Sequence, residues 1–123
     1  SYEGHMASPE DFVLKKVKNI SFPRSRLIIH NGWFKDIIQK ASNLPNKISF
    51  AYVDFDFYEP IKLALEFLDK TTIAGSIIIV DDYNYFSTGS KLAVDEFLKE
   101  NTTYKFYIPD KQIGHFIIIN RIK

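Results

Sequence analysis

A change of period, repeated along the chain, most constrains the fold. Short apolar runs of strand character alternate with stretches whose apolar residues recur at helical intervals. Leu27–Ile29 reads as a strand. Trp33–Ala41 reads as a helix with Phe34, Ile37, Ile38 and Ala41 on one face. Ile48–Asp54 reads as a strand, and its large apolar residues on both parities predict burial on both faces. Pro60 opens a helix with Ile61, Ala64, Leu65 and Leu68 along one side. Ala74-Gly75 turns the chain into a strand over Ser76–Val80. Ser90 can cap a helix that carries Ala93, Val94, Phe97 and Leu98. Tyr104–Ile108 and His115–Ile119 have no helix between them, so they are predicted to pair antiparallel. A first helix is expected from Ser8-Pro9, with Val13, Val17 and Ile20 at helical spacing. Such alternation predicts an α/β fold with a mainly parallel sheet and an antiparallel last strand. At 123 residues, the chain is long enough for a single domain, 1–123, with one core.

Composition narrows the function. The net charge of +1 provides no overall field for nucleic acid or an anionic membrane. Lys15, Lys16 and Lys18 fall in the helical pattern of the first segment and read as a solvated face. The absence of cysteine excludes disulfides, thiolate metal sites and a cysteine nucleophile, and fits a cytoplasmic setting. Ile77–Val80 and Phe116–Ile119 are far shorter than a membrane-spanning helix requires. Residues 1–8 allow two readings: GHMAS at 4–8 resembles a cloning remnant, and SYEG at 1–4 reads as native.

Two of the most apolar runs end on carboxylates: Asp54 and Asp56 follow one, Asp81 and Asp82 the other. Ligands of open parallel sheets bind beyond the carboxyl ends of the strands. If these two strands are neighbours, the four acids converge on one rim. Clustered carboxylates repel unless protons or a cation intervene. A hard divalent cation such as magnesium, which takes oxygen ligands, answers that repulsion. The competing reading is that each acid merely caps the turn that follows it. From spacing alone the site is a metal or acid–base site. His5, His30 and His115 are too dispersed for a zinc site, and His30 reads as a loop residue rather than a catalytic one. Tyr83, Tyr85 and Phe86 could line a substrate pocket or pack under a loop. A phosphoryl-transfer or hydrolase site of receiver type would need a lysine near the acids, and Lys105 and Lys111 are poorly placed for that.

The stretch YVDFDFYEP…LALEFL…AGSIIIVDDYNYFSTGSKLAVDEFL resembles the macrocin O-methyltransferase family. That family shows an Asp-x-Asp-x-Tyr strand end, a Gly-led strand finishing Asp-Asp-Tyr, and a Gly-x-x-x-Ala-Val-Asp-Glu-Phe helix. NGWF at 31–34 and SYEG at 1–4 are similar to further family stretches. The resemblance implies a Rossmann-like class I methyltransferase sheet. It also implies magnesium-dependent transfer of a methyl group from S-adenosylmethionine to a hydroxyl, typically of a sugar. By position, Asp54, Asp81 and Asp82 match metal ligands, and Asp56 a base or substrate contact alongside Asp54. Tyr2, Glu3, Gly4, Gly32 and Trp33 match the cofactor side.

The family places its Gly-rich loop and ribose-binding acid ahead of SYEG, and no Gly-x-Gly occurs among the five glycines here. The chain is therefore expected to be the C-terminal portion of a methyltransferase domain, without the N-terminal strands and the Gly-rich loop. Alone it is expected to bind cofactor weakly and to be inactive. Exposed sheet edges would favour a homo-oligomer. The alternative is a non-catalytic α/β interaction domain derived from such an enzyme.

Overall fold

The computed structural model describes residues 10–84, 88–110 and 112–123. The chain divides into two units, Ser1–Trp33 and Phe34–Lys123.

In the first unit, helix α1 spans Glu10–Asn19. Its acidic residues, Glu10 and Asp11, occupy the first turn, and Lys16 and Lys18 the last, which complements the helix dipole. Lys15, Lys16 and Lys18 are exposed, as a solvated face requires. The Lys16 ammonium lies 4.6 Å from the centre of the Phe12 ring. The expected helix start at Ser8-Pro9 falls outside the described residues. A single 3-10 turn follows at Arg24–Arg26. The strand expected at Leu27–Ile29 is absent, and Ile28 is exposed. A strand exists through its ladder, and no described strand pairs with these residues.

The second unit runs α2 (Phe34–Lys40), β1 (Ile48–Val53), α3 (Tyr58–Thr71), β2 (Thr72–Asp81), α4 (Thr88–Glu100), β3 (Tyr104–Tyr107) and β4 (Phe116–Arg121). The sheet order is β1-β2-β4-β3. β1 and β2 are parallel, and β4 runs antiparallel to both β2 and β3. Three strands thus share one direction and only the last is reversed. The late pair forms the antiparallel ladder that the missing helix between them predicts.

One face of the sheet holds the core. Val53, Ile78, Val80, Ile117 and Ile119 pack against Ile61, Ala64, Leu65 and Leu68 of α3 and Ala93, Val94 and Phe97 of α4. The i, i+3, i+4, i+7 spacing on α3 puts its four residues on one stripe, so burial rather than propensity holds the helix. Gly89 lets the start of α4 approach α3: a Cβ there would sit 3.0 Å from the backbone nitrogen of Tyr58. Ser90 lies inside the first turn of α4 rather than capping it, because the helix begins at Thr88.

The opposite face is open. Phe50 is 57% exposed and Tyr52 55%. Burial of β1 on both faces is therefore not found. Its apolar parity reflects composition, and only the Ala51–Val53 side meets the helices. β2 also starts earlier than its pattern suggests. Thr72 pairs with Ile48, but the next pair is Ile77 with Phe50, so Ile73–Gly75 form a bulge. Gly75, with φ of 93°, takes the left-handed position in it. Ser76, buried beside the bulge, donates to the Ile48 carbonyl (2.8 Å) and accepts from the Ile73 N–H (2.9 Å).

Candidate active site

The carboxyl ends of β1 and β2 are adjacent because Val53 pairs with Val80 in the parallel ladder. Each strand then releases its acids at the same rim. Carboxylate oxygens of Asp54, Asp56 and Asp82 lie within 4.8 Å of one another. Asp54 is exposed, and Asp56 and Asp82 are half-buried. Three of the four acids at the two strand ends, Asp54, Asp56 and Asp82, therefore meet.

Asp81 is placed differently. It is the last residue of β2, and both its oxygens are engaged. Oδ2 accepts the Tyr52 hydroxyl at 2.7 Å, and Oδ1 accepts the N–H of Asp82 at 2.9 Å. Its carbonyl accepts from the hydroxyl of buried Ser90 (3.4 Å), which ties the strand end to α4. Asp82 then turns the chain with φ of 55°, and Asn84 repeats the left-handed conformation at 56°. Asp and Asn tolerate this region better than most residues.

The electrostatics match the geometry. Asp54 is pushed above the usual carboxylate range by partial desolvation and then by the charges of Asp81 and Asp56. Asp82 is pushed up by partial desolvation and then by Asp81, Asp56 and Asp54. The Tyr52 phenol is raised to about 12, chiefly by its hydrogen bond to Asp81, so it remains a neutral donor at physiological pH.

The donor set is all oxygen and anionic. Octahedral magnesium holds its ligands at about 2.0–2.1 Å and takes few carboxylates, its other positions going to water or substrate. Oxygens within 4.8 Å of one another suit such a cation.

Tyr83 packs against the core, and its hydroxyl donates to Asp95 Oδ1 at 2.7 Å. Lys91 binds the other oxygen of Asp95 and lies 5.8 Å from the Tyr83 ring centre. Tyr58, the other tyrosine beside the acids, donates to Glu96 Oε2 on α4. Tyr52, Lys91 and Asp95 were not among the sequence candidates. Tyr52 shares strand parity with Asp54, and Lys91 and Asp95 have the i, i+4 spacing of a helical ion pair, so both signals were present. Gly32 and Trp33 lie in the first unit, with Trp33 70% exposed. Tyr2, Glu3, Gly4, Tyr85 and Phe86 lie outside the described residues. No helix among the described residues is long and apolar enough to cross a membrane.

A sheet with three co-directional strands, a reversed last strand inserted second from the edge, and acids at the parallel strand ends defines a Rossmann-like α/β protein of the methyltransferase type. Residues 2–109 match the profile of the macrocin-O-methyltransferase (TylF) family, and the chain belongs to that family. The solved structure of the O-methyltransferase NovP is similar, with a TM-score of 0.82 and 25% identity over 96% of this chain. A Corynebacterium glutamicum protein shares the fold at a TM-score of 0.67 and 10% identity over 94% of the chain. The chain spans 47% of the length of NovP and 58% of the second structure. No curated protein sequence matches it significantly.

Proposed function

We propose that this chain carries the metal-binding rim of an S-adenosylmethionine-dependent O-methyltransferase acting on a hydroxyl of a small molecule, most simply a sugar. The convergence of Asp54, Asp56 and Asp82 at two adjacent strand ends is the observation that carries this reading. The family match across both units favours one methyltransferase domain, to which both belong.

In this reading Asp54 and Asp82 would hold Mg2+, with Asp81 beside them, and the cation would supply Lewis acidity that lowers the pKa of an acceptor hydroxyl. Asp56 takes the hydroxyl proton as general base. S-adenosylmethionine would supply the methyl group: its carbon–sulfur bond would break as the acceptor oxygen bonds to carbon, the electron pair leaving on sulfur as a thioether. Positioning supplies much of the rate, since oxygen, carbon and sulfur must lie in line. Tight S-adenosylmethionine binding is not expected of these 123 residues alone, because none of the five glycines forms a Gly-x-Gly loop.

A second reading, a non-catalytic interaction domain, is favoured by the exposed apolar sheet face at Phe50, Tyr52 and Ile77. Magnesium titration followed by 1H–15N NMR separates the two. Saturable shifts confined to the backbone around Asp54, Asp56 and Asp82 are expected for the enzyme. A spectrum that Mg2+ leaves unchanged rejects the metal role and leaves the interaction domain.

A further inference from the structure

Tyr52 stands out on the open face of the sheet. Its neighbours there, Phe50, Ile77 and Ile79, are wholly apolar, whereas Tyr52 sends a hydroxyl to the rim. Tyr52 pairs with Ile79 in the parallel ladder, and Asp81 lies two residues further along the same face. Its hydroxyl donates to Asp81 Oδ2 at 2.7 Å. Burial does not account for that bond, because Tyr52 is more than half exposed and water could satisfy the hydroxyl.

The bond has a consequence for Asp81. With Oδ1 on the Asp82 N–H and Oδ2 on Tyr52, the carboxylate is held in one orientation at the strand end. Each carboxylate oxygen keeps a further lone pair for another partner. Carboxylates that bind metals are commonly oriented in this way by groups that do not themselves touch the metal. A phenylalanine at position 52 would fill the same space and donate nothing.

We infer that Tyr52 is a positioning residue for the divalent cation: it orients Asp81, and through the Asp81–Asp82 contact the rim, without touching the ion. The inference rests on the metal reading above. Mn2+, titrated into the whole chain and followed by electron paramagnetic resonance, tests both. Tyr52→Phe is expected to weaken Mn2+ binding about tenfold, the loss typical of such supporting contacts. Asp81→Ala, which removes the acceptor, should weaken it too, and adding Tyr52→Phe to Asp81→Ala should cost nothing more, because the two act through one bond. Thermal melts of the same variants establish that they fold, and a merely structural role would lower the melting temperature without this non-additive pattern. If Tyr52→Phe binds Mn2+ as the unmodified chain does while Asp54→Asn does not bind, the role of Tyr52 is overturned and the metal site stands. If the unmodified chain does not bind Mn2+, the metal reading fails, and the role of Tyr52 with it.

Discussion

Asp82 combines a left-handed backbone with a carboxyl that its surroundings disfavour as an anion. Its proton is held more tightly in the folded chain than in the unfolded one. The group therefore favours folding only while protonated, below the unfolded value of about 3.9. That contribution is lost as pH rises through the higher folded value, and at neutral pH the ionised carboxylate opposes folding. Asn is neutral and tolerates φ of 55°. Asp82→Asn should therefore raise the melting temperature at pH 7, by less than about 1 kcal/mol in stability because the rim is partly solvated. The gain should shrink as the pH falls into the carboxylate range. Thermal denaturation with and without Mg2+ checks this at the same site. On the proposed metal reading, Mg2+ should stabilise the unmodified chain, as any ligand of the folded state does, and should stabilise Asp82→Asn less. A melting temperature that Asp82→Asn lowers at pH 7 would contradict the repulsion argument.

Elements meet through a few buried polar contacts, and Ser76 is the clearest. It bridges the Ile73 N–H and the Ile48 carbonyl where β2 bulges against β1. Ser76→Ala would remove the hydroxyl that pairs this donor and acceptor, a loss of about 1–3 kcal/mol. Urea denaturation should show it, and amide exchange at Ile73 should accelerate. The bulge itself was not legible in the sequence, because Thr72–Gly75 carries no alternation and Gly75 reads as a turn. The helices α3 and α4 were legible, since Ile61, Ala64, Leu65 and Leu68, and Ala93, Val94 and Phe97, bury one stripe each. The antiparallel hairpin was legible from the lack of a helix between its strands. Leu27–Ile29 was not, because a strand depends on a partner that local pattern cannot supply. The rim follows the same division. Strand parity and adjacency bring Asp54, Asp56 and Asp82 together, whereas the diversion of Asp81 to Tyr52 is a cross-strand contact that no single segment encodes.

The second unit, which makes up most of the molecule, is asymmetric about its sheet. Helices α3 and α4 seal one face, and the other presents Phe50, Tyr52 and Ile77 to solvent. β1 is also an edge strand among the described residues, so Phe50 and Tyr52 flank unpaired backbone donors and acceptors. Exposed apolar edges of this kind template pairing with another chain, and contiguous apolar patches mark association surfaces. With a net charge of +1, little electrostatic repulsion opposes contact between copies. The chain should therefore self-associate reversibly, its weight-average mass in sedimentation velocity rising with concentration. Phe50→Lys places a charge in the middle of the edge strand, the device by which natural sheets block such pairing. It should shift the distribution to monomer while leaving the melting profile of the monomer nearly unchanged, because Phe50 lies outside the packed core. A mass that stays monomeric across the concentration range in the unmodified chain would mean that the open face and the β1 edge do not drive association. A Phe50→Lys variant that associates as strongly as its parent would move the contact elsewhere, to the opposite edge at β3, where Tyr107 is also exposed.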